Sequence, residues 1–203
     1  MKGDKAIRRL KYLVFALTQC LEATEIPYVI VGGITIGAYG IGRSTEDVDV
    51  LIQLDASNTA KIQLLSKCFE EQSLSVTTYE ITKGLQENSH ITVFDTLNPM
   101  LRIDLSPIST NTSLETFKNR VEVDLFGDKR GIWINSPETL IAIKLSPGFH
   151  SEQDVKDAKG ILLRSGKLLD WKKLESLCDY MNCANRLREL RNEISKYDSA
   201  NIE

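Results

Sequence analysis

Two aspartates, two residues apart, begin the segment with the clearest chemical pattern in this sequence. Asp47 and Asp49 stand at the start of an apolar run that ends at Ile52. Side chains of a strand alternate between its two faces, so both carboxylates are predicted to share one face while Val48 and Val50 turn to a core. Neighbouring carboxylates repel each other unless water or cations offset their charge, and hard oxygen ligands suit Mg²⁺ or Mn²⁺. The pair therefore indicates either a divalent-metal site or a solvated strand entrance.

A third acid lies in a later apolar segment that is also predicted to be a strand. Asp104 stands between two apolar residues, and Arg102 precedes it by two positions. An acid in the middle of a strand needs a partner, which could be Arg102, water or a bound cation. If this strand neighbours the one that carries Asp47 and Asp49, the three carboxylates could hold two metal ions about 3.5–4 Å apart, as in two-metal phosphoryl-transfer sites.

A glycine pair precedes the aspartates. Gly32 and Gly33 follow a short apolar run, and a short helix is predicted to begin after them. Residues without side chains let a phosphate approach the backbone amides, and the next helix would offer its positive N-terminal end to that anion. Glycine pairs at strand ends are also common as simple turns, so this pair alone does not identify a phosphate site.

The elements that must position these groups predict an α+β fold, in which a small mixed sheet with flanking helices is followed by a helical segment. We expect residues 1–148 to form the first domain with its N-terminal helix, and residues 149–203 to form a helical segment that could pack on it. Ser136 and Pro137 mark a helix start, as cap and first-turn residue. Strands are predicted at 28–31, 48–52, 74–80, 90–95, 101–108, 121–125 and 131–134, and helices at 4–24, 33–39, 56–71, 113–120, 136–147, 151–165, 170–181 and 183–198.

Composition and charge limit the classes of function. The 203 residues are 42% hydrophobic and carry a net charge of -3, so bulk electrostatic binding of nucleic acid is disfavoured, although a small RNA could dock at a local patch. No apolar run reaches the length of a membrane span. Cys20 and Cys68 are predicted to be buried thiols, and Cys178 and Cys183 lack the neighbours of a zinc site. We therefore expect a reducing, cytoplasmic location.

The combined pattern resembles a known superfamily. A Gly-Gly pair, a spacer, Asp-x-Asp and a distant strand acid are the signature of DNA-polymerase-β-like nucleotidyltransferases. The version here is similar to the minimal nucleotidyltransferases, a branch that includes the nucleotidyltransferase toxins of abortive-infection toxin–antitoxin pairs. Two later helices extend the resemblance over residues 25–160. One runs from Ser136 to Lys144, and the other begins at Gln153, where the branch has a basic residue.

The resemblance implies a reaction and a set of residues. The protein would transfer a nucleoside monophosphate from a nucleoside triphosphate such as ATP to an acceptor hydroxyl, with Mg²⁺ or Mn²⁺ as cofactor and release of pyrophosphate. The acceptor could be a transfer RNA end, a protein or a small molecule such as an antibiotic. The alternative is a catalytically silent nucleotide-binding protein or a toxin–antitoxin partner. The implied metal ligands and catalytic groups are Asp47, Asp49 and Asp104, and the implied nucleotide or phosphate contacts are Gly32, Gly33, Arg43, Thr45 and Lys144.

Several of these residues also have ordinary structural explanations. Lys144 could extend to solvent from an amphipathic helix, and Arg43 could pair with Glu46. Many active members of the superfamily have serine at the position of Gly33. The two histidines, His90 and His150, are assigned no role.

Overall fold

The computed structural model describes residues 2–42, 45–148 and 151–200. Within these ranges the chain forms a seven-stranded mixed sheet flanked by helices, which confirms the predicted α+β class. The strands are β1 (Tyr28–Val31), β2 (Asp47–Ile52), β3 (Leu74–Ser75), β4 (Ile91–Asp95), β5 (Arg102–Pro107), β6 (Arg120–Asp124) and β7 (Gly131–Asn135).

The order of strands in the sheet is β3-β4-β5-β2-β1-β7-β6. β2 runs parallel to β5 on one side and antiparallel to β1 on the other. β4 is antiparallel to β5, and β1 is parallel to β7. The strand that carries the aspartate pair is therefore flanked by the strand that ends at the glycine pair and by the strand that carries Asp104.

The helices surround this sheet or follow it in the chain. Most begin at a side-chain cap that satisfies free backbone N–H groups of the first turn, and the predicted Ser136 cap with Pro137 in the first turn is present. The helices are α1 (Lys2–Ala23), α2 (Gly33–Ala38), α3 (Thr59–Glu71), α4 (Thr78–Glu87), α5 (Asn111–Lys118), α6 (Pro137–Leu145), α7 (Glu152–Ser165), α8 (Trp171–Tyr180) and α9 (Ala184–Ala200).

The chain divides into two compact units, of which the first comprises residues 1–35 and 43–134. Here α1, α3 and α4 cover one face of the sheet. The alternate apolar residues of β2 and β5 point to this face. Their burial stabilises the fold by roughly 25 cal/mol per Å² of apolar surface removed from water. The fully buried side chains of this core include Leu13, Leu17, Leu21, Val48, Ile52, Leu65, Phe69, Ile103 and Leu105.

The second unit comprises residues 36–42 and 135–203. Helix α6 is apolar on nearly all sides, as expected for a helix surrounded by others, and it contacts α7, α8 and α9. Its core includes Ile141, Ala158, Ile161 and Leu174. No helix within the described ranges combines the length and the apolarity that crossing a membrane requires. The proposed division of the chain at residue 148 stays a prediction.

The prediction of a strand at 74–80 is largely wrong. Only Leu74 and Ser75 form a strand, and α4 begins three residues later. Thr77 accepts a hydrogen bond from the backbone N–H of Glu80, and the Glu80 carboxylate accepts one from the backbone N–H of Thr77. This capping box starts a helix, and it outweighs the β-preference of the preceding residues.

The prediction that Cys20 and Cys68 are free thiols is also wrong. Both side chains are buried as expected, but α1 and α3 pack against each other, and the two residues form a disulfide with a Cα–Cα distance of 5.6 Å. Helical periodicity predicts which face is buried, and it carries no information on which two helices meet. Because disulfides are rare in reducing compartments, the cysteines no longer support such a location. Cys178 and Cys183 are buried free thiols.

We expect the unfolded, unreduced protein to have two thiols that react with a chromogenic disulfide reagent, and four after reduction. The reason is that Cys20 and Cys68 are bonded, whereas Cys178 and Cys183 are free. The variant Cys68→Ala leaves Cys20 unpaired and should show three thiols under both conditions. Four reactive thiols in the unreduced wild-type protein would show that the bond does not form.

Candidate active site

The three aspartates lie on neighbouring strands in matching register. Asp49 on β2 pairs with Asp104 on the parallel strand β5, and Asp47 pairs with Arg102. Along β2 the half-buried acids alternate with fully buried Val48 and Val50, so the carboxylates occupy the sheet face opposite the core. The structure therefore brings Asp47, Asp49 and Asp104 together on one face of the sheet.

Arg102 joins two of these carboxylates across the two strands. Its Nε donates to Asp104 Oδ2 at 3.0 Å, and its Nη2 donates to Asp47 Oδ2 at 3.1 Å. The pairing of Asp104 with Arg102, which the sequence left as one alternative, is thus present together with the proximity to the other two acids. About 45% of the Arg102 side chain is exposed, so solvent weakens each of these ion pairs.

Two threonines complete the hydrogen bonds of the same carboxylates. Thr45 Oγ1 donates to Asp47 Oδ1 at 2.8 Å, and Thr92 Oγ1 on β4 donates to Asp104 Oδ1 at 2.9 Å. Thr45 was predicted to contact phosphate, and this contact stays a prediction; in this structure its hydroxyl donates to Asp47. Asp47 and Asp104 are consequently both oriented by a hydroxyl on one oxygen and the guanidinium on the other.

Asp49 has a different environment from its neighbours. Burial first, and then the negative charges of Asp47 and Asp104, together raise the pKa of its carboxyl to about 6, while His90 and Arg102 oppose the shift. Within the described part of the chain, no side chain or backbone group is found donating a hydrogen bond to this carboxylate. An ionised carboxylate in such a position gains from a cation brought close to it.

The backbone at Gly32 lies directly against Asp49. Gly32 follows β1, where Val31 pairs with Asp49, and its φ of +73° lies in the left-handed region that favours glycine. A Cβ atom built at this position would lie 2.0 Å from Asp49 Oδ2. Glycine is therefore required here both by the backbone conformation and by the close approach of the carboxylate. Gly33 is the first residue of α2.

We expect Gly32→Ala to lower stability and to displace the Asp49 carboxylate. The left-handed backbone alone costs a non-glycine residue about 1–2 kcal/mol, and the added methyl group must push Oδ2 aside. Thermal melting measures the first effect. The matched control is Gly37→Ala in α2, where φ is not left-handed and nothing lies within 4 Å of the new Cβ. Equal melting temperatures for Gly32→Ala and wild type would contradict the described contact.

Lys144 lies in the second unit, inside the helical core. It is only 8% exposed. Its Nζ lies 2.6 Å from Asp154 Oδ1 and 3.5 Å from Asp157 Oδ2, and Gln153 also donates to Asp157. The alternative of a lysine that extends to solvent is therefore wrong, because the ammonium group is held by two carboxylates of α7. Arg43 and His150 lie outside the described residues.

Sequence reasoning missed the contributions of β4 to this face of the sheet. Thr92 pairs with Asp104 in register, and His90 precedes it by two residues. His90 Nδ1 lies 2.7 Å from Ser106 Oγ, and the imidazole is near enough to Asp49 to oppose the rise of that carboxyl's pKa. The signal available in the sequence was the spacing of His90 and Thr92, which is the same as the spacing of Asp47 and Asp49. It could not be used because the order of strands in the sheet was unknown.

The donor set has the chemistry of a divalent-metal site, although the side chains do not yet converge on one point. In the three described ranges, no group of three or more histidine, cysteine, aspartate or glutamate side chains is arranged to hold an ion as it stands. The guanidinium of Arg102 lies between Asp47 and Asp104, and a cationic group is therefore already bound by two of the three acids. Carboxylate oxygens are hard ligands, which Mg²⁺ and Mn²⁺ prefer.

Comparison with solved structures finds the same fold in nucleotidyltransferases. The chain is similar to an antigenic nucleotidyltransferase-like protein from Paracoccidioides brasiliensis, with a TM-score of 0.56, 18% identity, and coverage of 92% of this chain and 90% of that one. It is also similar to ANT(2'')-Ia in complex with adenylyl-2''-tobramycin, with a TM-score of 0.53, 16% identity, and coverage of 84% and 95%. No family model matches the sequence, and no curated protein is found to be similar to it.

Identities of 18% and 16% do not transfer an activity to this chain. The TM-scores of 0.56 and 0.53 show a shared fold. The matched region covers most of this chain and of both neighbours. The chain therefore has the nucleotidyltransferase fold, in agreement with its resemblance to the DNA-polymerase-β-like nucleotidyltransferase superfamily.

Proposed function

We propose that this protein is a metal-dependent nucleotidyltransferase that transfers a nucleoside monophosphate from a nucleoside triphosphate to an acceptor hydroxyl. The observation that carries the proposal is the in-register set of Asp47, Asp49 and Asp104, placed beside Gly32 in a nucleotidyltransferase fold. Three acids on one sheet face carry a cost for a protein that makes no use of them, because the charges of Asp47 and Asp104 raise the free energy of the charged form of Asp49.

The proposed reaction exchanges one phosphate ester bond for another. The acceptor oxygen attacks the α-phosphorus, the bond from that phosphorus to the oxygen bridging to the β-phosphorus breaks, and pyrophosphate leaves with the electron pair. Bound between these carboxylates and the triphosphate, Mg²⁺ or Mn²⁺ would supply charge neutralisation at the α-phosphate and lower the pKa of the acceptor hydroxyl.

The residues of the chain have separate parts in this reaction. Asp47 and Asp49 would hold both metals, including the one that enters with the triphosphate. Asp104 would hold the metal near the acceptor, and its carboxylate would take up the acceptor proton. Thr45 and Thr92 keep Asp47 and Asp104 oriented through hydrogen bonds at 2.8 and 2.9 Å.

Contacts with the phosphates or the nucleotide are proposed for Gly32, Gly33, Arg43 and Lys144. Gly32 presents a backbone without a side chain directly beside Asp49, whose Oδ2 lies 2.0 Å from the position that a Cβ would take, and Gly33 follows it as the first residue of α2. Arg43 remains a proposed phosphate contact on the resemblance alone. For Lys144 the resemblance proposes a nucleotide contact, whereas its ion pairs with Asp154 and Asp157 support a role in holding α6 and α7 together.

The nucleotide and the acceptor are proposed from the neighbours and from the charge. We take ATP as the first nucleotide to test, because one structural neighbour was solved with an adenylyl-tobramycin. A small molecule or a protein hydroxyl suits the net charge of -3 better than a large RNA surface. A cytoplasmic location is proposed because nucleoside triphosphates are available there.

The test is transfer of label from each α-³²P nucleoside triphosphate in the presence of Mg²⁺ and a cell extract. The products are separated into protein, RNA and small-molecule fractions, and Asp49→Asn serves as the inactive control. If one fraction is labelled with wild type and not with the control, the proposal is supported and that fraction identifies the acceptor class. Nucleotide binding without label in any fraction would contradict transfer and leave a silent nucleotide-binding or toxin–antitoxin partner protein.

A further inference from the structure

Arg102 is the residue of this site whose contacts the proposed reaction does not use. It stands beside Asp47 in the register of β2 and β5, and it precedes Asp104 on its own strand. Its Nε and Nη2 each take one oxygen from a different carboxylate, at 3.0 and 3.1 Å. An arginine that only stabilised β5 would need to contact Asp104 alone. The additional contact with Asp47 on β2 therefore needs an explanation.

The hydrogen bonds leave no oxygen of Asp47 or Asp104 without a donor. Thr45 and Thr92 hold the two Oδ1 atoms, and Arg102 holds both Oδ2 atoms. A threonine hydroxyl can rotate away, which frees a lone pair of the carboxylate oxygen for a metal ion. The guanidinium of Arg102 instead places a full positive charge where the metal would bind. A divalent ion bound by both carboxylates must therefore displace Arg102.

The way in which Arg102 leaves follows from its chemistry. A guanidinium keeps its proton at all pH values that proteins tolerate, so it moves as a cation and does not titrate away. About 45% of its side chain is exposed, which gives it a path to solvent. Exposed ion pairs are weak, and a divalent ion accompanied by a triphosphate can therefore replace them, while the ion alone competes poorly.

We infer that Arg102 is an internal counter-ion, which neutralises Asp47 and Asp104 while the site is empty and which the metal–triphosphate must displace. This inference rests on the proposed function and assigns to Arg102 a role in setting the metal affinity of the same site. It is a positioning residue, because it acts through the two carboxylates. Its presence neutralises two of the three acids without metal and makes occupation by metal depend on the nucleotide.

The test is a titration of the full chain with Mn²⁺ in the absence of nucleotide, followed by the electron paramagnetic resonance signal of the free ion. We expect Arg102→Gln to bind Mn²⁺ about tenfold more tightly than wild type, which is the combined effect of two exposed ion pairs. Arg102→Lys keeps the charge but cannot bridge both acids, and its affinity should lie between the two. Added ATP should reduce the difference, because the triphosphate already favours displacement in wild type.

The control is Arg191→Gln, which removes an arginine of the same 45% exposure that makes a 3.0 Å ion pair with Glu175 and should leave Mn²⁺ affinity unchanged. Thermal melting in chelator verifies that each variant folds, and Arg102→Gln should melt below wild type there and regain the loss with Mn²⁺. A purely structural ion pair would lower the melting temperature without changing Mn²⁺ affinity.

The outcomes separate this inference from the proposed function. Equal or weaker Mn²⁺ binding by Arg102→Gln overturns the role of Arg102 and leaves the metal site intact. Absence of Mn²⁺ binding by wild type and by both Arg102 variants, with and without ATP, overturns the metal-dependent function and the inference together. Tighter binding by Arg102→Gln with no nucleotide transfer by wild type supports the counter-ion and removes only the catalytic claim.

Discussion

Asp104→Asn is expected to lower nucleotide transfer by about 10²–10⁴-fold, the usual contribution of a positioned general base, while the affinity for triphosphate stays within about tenfold of wild type. The reason is that Asp104 is assigned to the acceptor side of the site. Asparagine retains the shape of the side chain and an oxygen that can accept from Thr92, which donates to Asp104 at 2.9 Å. The loss of transfer is therefore caused by the missing negative charge and general base, and not by a disrupted β5.

The measurement combines equilibrium binding of a labelled triphosphate with single-turnover transfer on the same preparation. Glu71→Gln is the matched control, because it neutralises an exposed carboxylate of α3 in the same unit. If Asp104 serves only as a surface partner of Arg102, neither quantity changes much. If both fall together by the same factor, Asp104 belongs with the triphosphate metal rather than with the acceptor.

The sequence predicted the parts of the site that depend on short-range periodicity. Alternation along β2 placed Asp47 and Asp49 on one face, and the same rule applied to Asp104 on β5. The position of Gly32 at the end of β1 also followed from local pattern. Each of these predictions needs only the identity of the element and its repeat, which a few residues on either side determine.

What the sequence could not predict depends on which elements meet. The parallel pairing of β2 with β5 places Arg102 beside Asp47, although 55 residues separate them. The same is true of Thr92, and of Cys20 and Cys68, whose disulfide depends on the packing of α1 against α3. The start of α4 is a different kind of error, because the capping box of Thr77 and Glu80 was visible in the sequence and was given less weight than β-propensity.

The acids and Arg102 together explain why a site of this kind can fold before any ligand arrives. Asp47 and Asp104 have hydroxyl and guanidinium donors that stabilise their charged forms. Among the residues that the structure describes, none donates such a bond to Asp49, and its pKa is the one raised to about 6. The cost of the cluster in the metal-free protein is therefore concentrated on one residue, which makes that cost measurable with a single substitution.

Asp49→Asn is expected to abolish transfer and, in chelator at pH 7.5, to raise the free energy of unfolding by about 1–2 kcal/mol. The loss of transfer should reach about 10³-fold or more, since a metal-bound transition state gains several kcal/mol from its ligands. The gain in stability arises because asparagine resembles the protonated acid, so that it removes the cost of burying a charge and the repulsion from Asp47 and Asp104. The shift of the Asp49 pKa from 3.8 to about 6 sets the upper limit of this gain in the free energy of unfolding. Partial solvent exposure of Asp49 reduces the gain to about 1–2 kcal/mol.

The pH dependence of this gain has a definite sign. Because the pKa of Asp49 is higher in the folded state than in the unfolded state, the folded protein binds the proton more readily between about pH 6 and pH 4. The destabilisation by ionised Asp49 is therefore complete above pH 6 and disappears as the pH falls towards 4. Denaturant unfolding of wild type and Asp49→Asn in chelator should differ at pH 7.5 and coincide near pH 4. A variant that is less stable than wild type at pH 7.5 would show that ionised Asp49 stabilises the fold, and would contradict its assignment as an acid that awaits a metal.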